Sequence, residues 1–126
     1  MPSQVAVVDD DLSVRESLQS LIRSAGLRVQ VFASAEQFLT SSDPSDANCL
    51  VLDVRMPGMS GTELHRHLLS KGYKIPVIFI TAHASDQETM EQALSEGALD
   101  YLIKPFHKNE LLDAVFRALR SNAKQG

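Results

Sequence analysis

Apolar residues follow two rhythms along this chain. Short unbroken apolar runs alternate with stretches in which apolar residues return every three or four positions. Val5 to Val8 is the first run and ends in Asp9-Asp10-Asp11, after which Val14, Leu18, Leu21, Ile22 and Ala25 repeat at helical spacing until Gly26 stops them. A second strand is predicted over Arg28 to Phe32, then a short helix through Leu39 opened by Ser34-Ala-Glu-Gln37, which has the spacing of a capping box. Cys49-Leu50-Val51-Leu52 delivers Asp53 and breaks at Pro57, Gly58 and Gly61. A run without polar alternation is what a strand covered on both faces requires. Ser60-Gly-Thr-Glu63 opens a helix carrying Leu64, Leu68 and Leu69, and Ser85-Asp-Gln-Glu88 opens one carrying Met90, Ala93 and Leu94 before Gly97. Between those two helices, Ile75 to Ile80 is another buried strand, ending in Thr81-Ala82-His83. Tyr101-Leu102-Ile103 ends in Lys104-Pro105, and a last amphipathic helix bears Leu111, Leu112, Val115, Phe116 and Leu119. The one long loop, Thr40 to Asn48, is polar and contains Pro44.

Five strands alternating with five helices specify an α/β fold: a parallel sheet with helices on both faces, because right-handed crossovers leave few other arrangements. In such sheets ligands bind beyond the carboxyl edge of the strands. Asp9 to Asp11, Asp53, Thr81 and Lys104 all fall at that edge. Each has an ordinary explanation alone, since adjacent carboxylates form solvated turns that suit the positive end of a helix, and an aspartate after a strand often caps the next turn or helix. Those explanations do not account for acid, acid, hydroxyl and ammonium supplied to one edge by four strand ends.

Clustered carboxylates raise each other's pKa unless a cation intervenes. Oxygen ligands without paired histidines or thiols suit a hard ion, Mg²⁺, which keeps several waters and rarely needs more than two carboxylates. The same ion neutralises phosphoryl oxygens, and Lys104 and Thr81 are the charge and the hydroxyl that would hold them. The chemistry indicated is phosphoryl transfer onto a carboxylate, with Asp53, on the middle segment, as nucleophile.

Composition narrows the class further. At 126 residues the chain fits one domain with a real core, and a hydrophobic share of 44% with 22% charged residues disfavours disorder, coiled coil and membrane classes. The apolar runs are far shorter than a bilayer span and Met1-Pro2-Ser3-Gln4 lacks the form of a signal peptide, so a cytoplasmic protein without membrane contact is expected. A net charge of −4 argues against nucleic-acid binding by this stretch itself. The single cysteine, Cys49, begins an apolar strand and reads as an inert buried thiol. His65 and His67, two apart on a helix, point to different sides and read as surface residues, not a metal pair; His107 reads as a cap or a solvated side chain, and Met56 and Met59 as loop packing.

VVDDD, LDVRMPGMSG, ITAH and LIKPF, in this order and spacing, resemble a bacterial response-regulator receiver domain, and the resemblance runs from Val5 to about Ser121. It implies a doubly wound, flavodoxin-like fold with strand order 2-1-3-4-5. It also implies that Asp53 is the phospho-acceptor and that Asp10, Asp53 and the main-chain carbonyl of Arg55 bind Mg²⁺, with Asp9 acting through water. Thr81 would hydrogen-bond the phosphoryl group, Lys104 would pair with it across a cis Lys104-Pro105 bond, and Tyr101 would hold the aromatic switch position. Arg55, His83 and the Met-Pro-Gly-Met-Ser-Gly turn look most like the FixJ type, and Arg55 and His83 stand where side chains would tune the phosphoryl lifetime.

The implied partner is a sensor histidine kinase, and the implied output is a phosphorylation-dependent homodimer. DNA would be reached only through an effector domain absent from this chain. Residues 1–121 are then the receiver, and 122–126, which lack apolar periodicity, the start of a linker. A stand-alone receiver is the nearest alternative. A haloacid-dehalogenase-like hydrolase fits less well, because its second carboxylate lies two residues beyond the nucleophile, where this sequence has Arg55. A flavodoxin-like cofactor binder would meet repelling carboxylates after the first strand, and a receiver that works without phosphorylation would not need the intact acidic pocket, Thr81 and Lys104.

Overall fold

The computed structural model describes residues 3–125, with side chains through residue 121. In chain order the elements are β1 (Gln4–Val8), α1 (Leu12–Ser24), β2 (Arg28–Phe32), α2 (Ala35–Ser41), β3 (Cys49–Asp53), α3 (Gly61–Ser70), β4 (Val77–Thr81), α4 (Gln87–Ser95), β5 (Asp100–Ile103) and α5 (Lys108–Gln125), with 3₁₀ turns at Pro44–Asp46 and Ala84–Asp86. All strand pairings are parallel and the order is β2-β1-β3-β4-β5. This is the doubly wound topology the resemblance implied. Among the described residues no helix is long and apolar enough to cross a membrane.

The period-2 alternation of each strand divides the core between the two faces. Ala6, Val8, Leu50, Leu52 and Phe79 cluster with Phe38, Leu64, Leu68, Met90 and Ala93, from α2, α3 and α4. Val5, Val7, Val51, Ile78 and Ile80 cluster with Leu18, Ile22, Leu111, Ala114, Val115 and Ala118, from α1 and α5. Every residue of β3 and β4 is buried, as their unbroken apolar runs require. Cys49 lies in this core, and burial pushes its thiol up to about 12, so it stays protonated and inert.

Pairing register aligns the strand ends. Val8 lies beside Leu52 and Phe32, Asp53 beside Ile80, and Thr81 beside Ile103. Asp9, Asp53, Thr81 and Lys104 therefore emerge within a few residues of one line across the sheet.

Four local expectations change. The helix after β2 continues to Ser41, and Asp43 then caps the 3₁₀ turn inside the predicted loop, accepting from the Ser45 amide at 3.0 Å. The Ser85-Glu88 box does not form: a 3₁₀ turn occupies Ala84–Asp86 and α4 starts at Gln87 without a side-chain cap. His65 is not a surface residue. It is 3% exposed, with its ring edge-on to Phe79 at 5.5 Å, and burial lowers its pKa so that it packs as a neutral aromatic. The backbone of α5 continues to Gln125, past the point where apolar periodicity stops.

Candidate functional site

The three carboxylates after β1 stand in three different settings. Asp11 caps α1, its Oδ1 accepting from the Ser13 amide at 2.8 Å and the Val14 amide at 3.4 Å. Asp9 is fully buried. Its Oδ1 accepts from the Asp11 amide at 2.9 Å, its Oδ2 from Lys104 Nζ at 3.1 Å, and its carbonyl from Arg15 Nη1 at 2.7 Å. Asp10 is exposed beside it.

Asp53 ends the central strand at 7% exposure, with Oδ1 4.0 Å from Lys104 Nζ. Oxygens of Asp9, Asp10 and Asp53 all lie within 4.8 Å of one another. Burial first, then the Asp9 carboxylate, pushes the Asp53 carboxyl up to about 7; Lys104 opposes the shift and Asp10 adds to it. One ammonium among three carboxylates leaves the cluster short of positive charge. An all-oxygen donor set in that condition fits a hard divalent cation.

The loop after β3 is held from both ends. Gly61 donates to the Val54 carbonyl at 2.9 Å, and a Cβ on Gly61 would lie 2.1 Å from the main-chain oxygen of Asp53, so only glycine fits. Ser60 and Glu63 form the predicted capping box that starts α3. Glu36 reaches across from α2 to accept from the Met59 amide at 2.8 Å and lies against Gly58, whose φ is +76°. Nothing in the spacing of Ser34-Ala-Glu-Gln37 distinguished Glu36, because its partner is remote in sequence.

Thr81 is buried at the end of β4, and its Oγ1 accepts from the His83 amide at 3.0 Å and donates to Asp86 Oδ2 at 2.7 Å. Asp86 is in turn gripped by Arg55, Nη2 to Oδ1 at 2.6 Å and Nε to Oδ2 at 3.2 Å. The Arg55 guanidinium beside Asp86 holds that carboxyl below its ordinary range. Arg55 thus lies on the loop beyond Asp53 with its side chain committed to Asp86, and the His83 side chain is exposed without a capping bond. Tyr101 is half-buried and packs against the core cluster on the α2–α4 face. The Lys104–Pro105 bond is cis. Asp86 was missed from sequence because its place in an apparent capping box concealed it.

A carboxylate cluster with one lysine and one threonine stands at the carboxyl edge of a 2-1-3-4-5 sheet, and the chain belongs to the response regulator receiver domain family, a phosphoryl-accepting switch, whose model matches residues 5–116. That family comprises the receiving halves of two-component systems; its members are regulatory switches rather than classical enzymes.

Among its relatives, nodulation protein W of Bradyrhizobium diazoefficiens is 47% identical over 121 residues, 96% of this chain and 53% of that protein. The transcriptional regulatory protein FixJ of Azorhizobium caulinodans is 44% identical over 122 residues, 97% of this chain and 57% of that protein. This agrees with the FixJ-type resemblance. The solved structure of response regulator StyR superposes with a TM-score of 0.92 at 47% identity, over 99% of this chain and 63% of that one. The chain spans about half the length of the curated relatives it matches.

Proposed function

We propose that Asp53 accepts a phosphoryl group from a phosphohistidine on a sensor kinase, and that the acceptance is read out as a change of surface. The observation that carries this reading is the Asp53 carboxylate itself, buried at the end of the central strand, with Lys104 Nζ at 4.0 Å and the Asp9 and Asp10 oxygens close by. An Asp53 oxygen attacks phosphorus, the bond from phosphorus to the donor imidazole nitrogen breaks, and the imidazole leaves. Lys104, freed from Asp9 by the added charge, pairs with the transferred phosphoryl oxygens, and Thr81 turns its hydroxyl toward them. Asp10, Asp53 and the Arg55 main-chain carbonyl would hold Mg²⁺, with Asp9 acting through water. The ion supplies neutralisation of the phosphoryl charge and of the carboxylate cluster. The domain thereby assists its own phosphorylation and dephosphorylation and turns over no separate substrate.

Movement of Thr81 opens space into which Tyr101 rotates, and that changes the face built by α4, β5 and α5. Leu94, Ile103 and Phe116, large apolar side chains exposed by 37%, 39% and 37%, stand on these elements and support a phosphorylation-dependent homodimer. Because FixJ is named a transcriptional regulatory protein, we read residues 1–121 as the cytoplasmic receiver of such a regulator, with 122–126 leading to a linker and DNA contacted by an effector domain. The test uses acetyl phosphate with Mg²⁺: intact-mass measurement is expected to show one phosphoryl group on the wild type, none on Asp53→Asn and none after chelation. Labelling of Asp53→Asn at the wild-type level would overturn the assignment.

A further inference from the structure

Asp86 occupies the N-cap position of α4 but caps nothing there; its side chain makes no bond to the helix amides. It turns inward, 6% exposed, and its partners are at the strand edge: Thr81 Oγ1 at 2.7 Å, Arg55 Nη2 at 2.6 Å and Arg55 Nε at 3.2 Å. Three donors to one carboxylate tie the loop beyond Asp53, the end of β4 and the start of α4 together. A threonine hydroxyl has a single proton to donate. While that proton is given to Asp86, Thr81 cannot give it to a phosphoryl oxygen on Asp53.

We propose that Asp86 is a positioning residue that restrains phosphorylation, holding the Thr81 hydroxyl in a non-productive direction and tethering Arg55 until phosphoryl oxygens compete for both. The inference rests on Asp53 being the acceptor. Its physical content is an exchange of acceptors: Thr81 and Arg55 donate to Asp86 in the unphosphorylated protein, and to the phosphoryl group afterwards. Because Asp86 is the residue from which α4 begins, losing both donors also releases the start of that helix. The competent fraction of the unphosphorylated protein is the fraction in which Thr81 has let go of Asp86, and the labelling rate scales with it.

The test compares initial rates of labelling by acetyl phosphate with Mg²⁺ for wild type, Asp86→Ala, Asp86→Asn, Thr81→Ala and Asp86→Ala/Thr81→Ala, each at a temperature where circular dichroism shows it folded. Asp86→Ala should label roughly tenfold to a hundredfold faster, as loss of a charge-assisted hydrogen bond implies. Asp86→Asn keeps an oxygen for the Thr81 hydroxyl and loses the charge that grips Arg55, so its rate should lie between those of wild type and Asp86→Ala. In the Thr81→Ala background the acceleration by Asp86→Ala should shrink to about that of Asp86→Asn alone, the share that comes from freeing Arg55, which a merely structural role for Asp86 would not produce. Rates at or below wild type in both Asp86 variants, or an acceleration that survives undiminished in the Thr81→Ala background, would overturn the restraint. If Asp86→Ala does not fold, Asp86→Asn against wild type decides by the same criterion. Absence of labelling in the wild type would instead remove the acceptor reading, and this inference with it.

Discussion

At the scale of the residue, the proposed acceptance of a phosphoryl group turns on how hard Asp53 is to ionise. Its carboxyl stands at about 7 in the folded protein against an ordinary 3.8, chiefly because it is buried and then because Asp9 is near. A raised folded pKa stabilises fully below the unfolded value, and that contribution is lost as pH rises through the folded one. Metal-free protein should therefore lose on the order of 2–4 kcal/mol of stability from this group between about pH 4 and pH 7.5. In EDTA, Asp53→Asn should unfold at a higher temperature than wild type at pH 7.5 and at nearly the same temperature at pH 4; a gap independent of pH would contradict the electrostatic account. The lifetime of the phosphorylated state belongs to the same scale. On the proposed reading, Arg55 released from Asp86 would cover the phosphoryl oxygens against in-line attack by water, and Arg55→Ala should then hasten decay. The exposed His83 side chain is tested by measuring the decay of His83→Ala beside wild type; a wild-type rate removes it from the chemistry.

Asp53, Thr81 and Lys104 were legible because each follows an apolar run, and a polar residue after a buried strand is conspicuous. Asp86 and His65 were not. Asp86 follows a stretch of exposed residues, and its partners lie 5 and 31 positions away. His65 was assigned by its polarity, whereas the opposing Phe79 ring and the desolvated interior admit it as a neutral aromatic.

At the scale of the element, helix starts decide where the loops go. The Ser60-Glu63 box formed as read, with the Ser60 side chain on the Glu63 amide at 3.2 Å and Glu63 on the Ser60 amide at 3.1 Å. Ser60→Ala should cost about 1 kcal/mol in denaturant unfolding. Gly61→Ala should cost more, and should slow labelling too, because the added methyl meets the main-chain oxygen of Asp53 at a distance no packing tolerates. Equal stability of Gly61→Ala and wild type would show that this loop yields more readily than its contacts imply. The same spacing at Ser85-Glu88 gave no box: a 3₁₀ turn covers Ala84–Asp86, so the N-cap falls on Asp86 and not Ser85, and Asp86 bonds Thr81 and Arg55 instead of helix amides. Local sequence describes a competition correctly only when its remote entrants are absent.

At the scale of the whole molecule, alternating strand and helix patterns were enough to give the parallel sheet, and the family resemblance supplied its order. Both faces of β3 and β4 are buried and their polar residues, Asp53 and Thr81, come last, so the proposed change would be expressed at the carboxyl edge and on the face of α4, β5 and α5. Beryllofluoride with Mg²⁺, a mimic of the phosphoryl group, should raise the sedimentation coefficient of wild type as dimers form. The response should be much weaker in Thr81→Ala, since coupling requires the two states to differ in free energy at that residue; an equal response in both would exclude Thr81 from the switch. Everything proposed for this domain depends on which carboxylate takes the phosphoryl group. The most direct test is to phosphorylate the protein with acetyl phosphate and Mg²⁺, reduce the acyl phosphate with borohydride to homoserine, and map the product by peptide mass spectrometry. Conversion is expected at position 53 alone; conversion at Asp9, Asp10 or Asp11 with Asp53 intact would contradict the account.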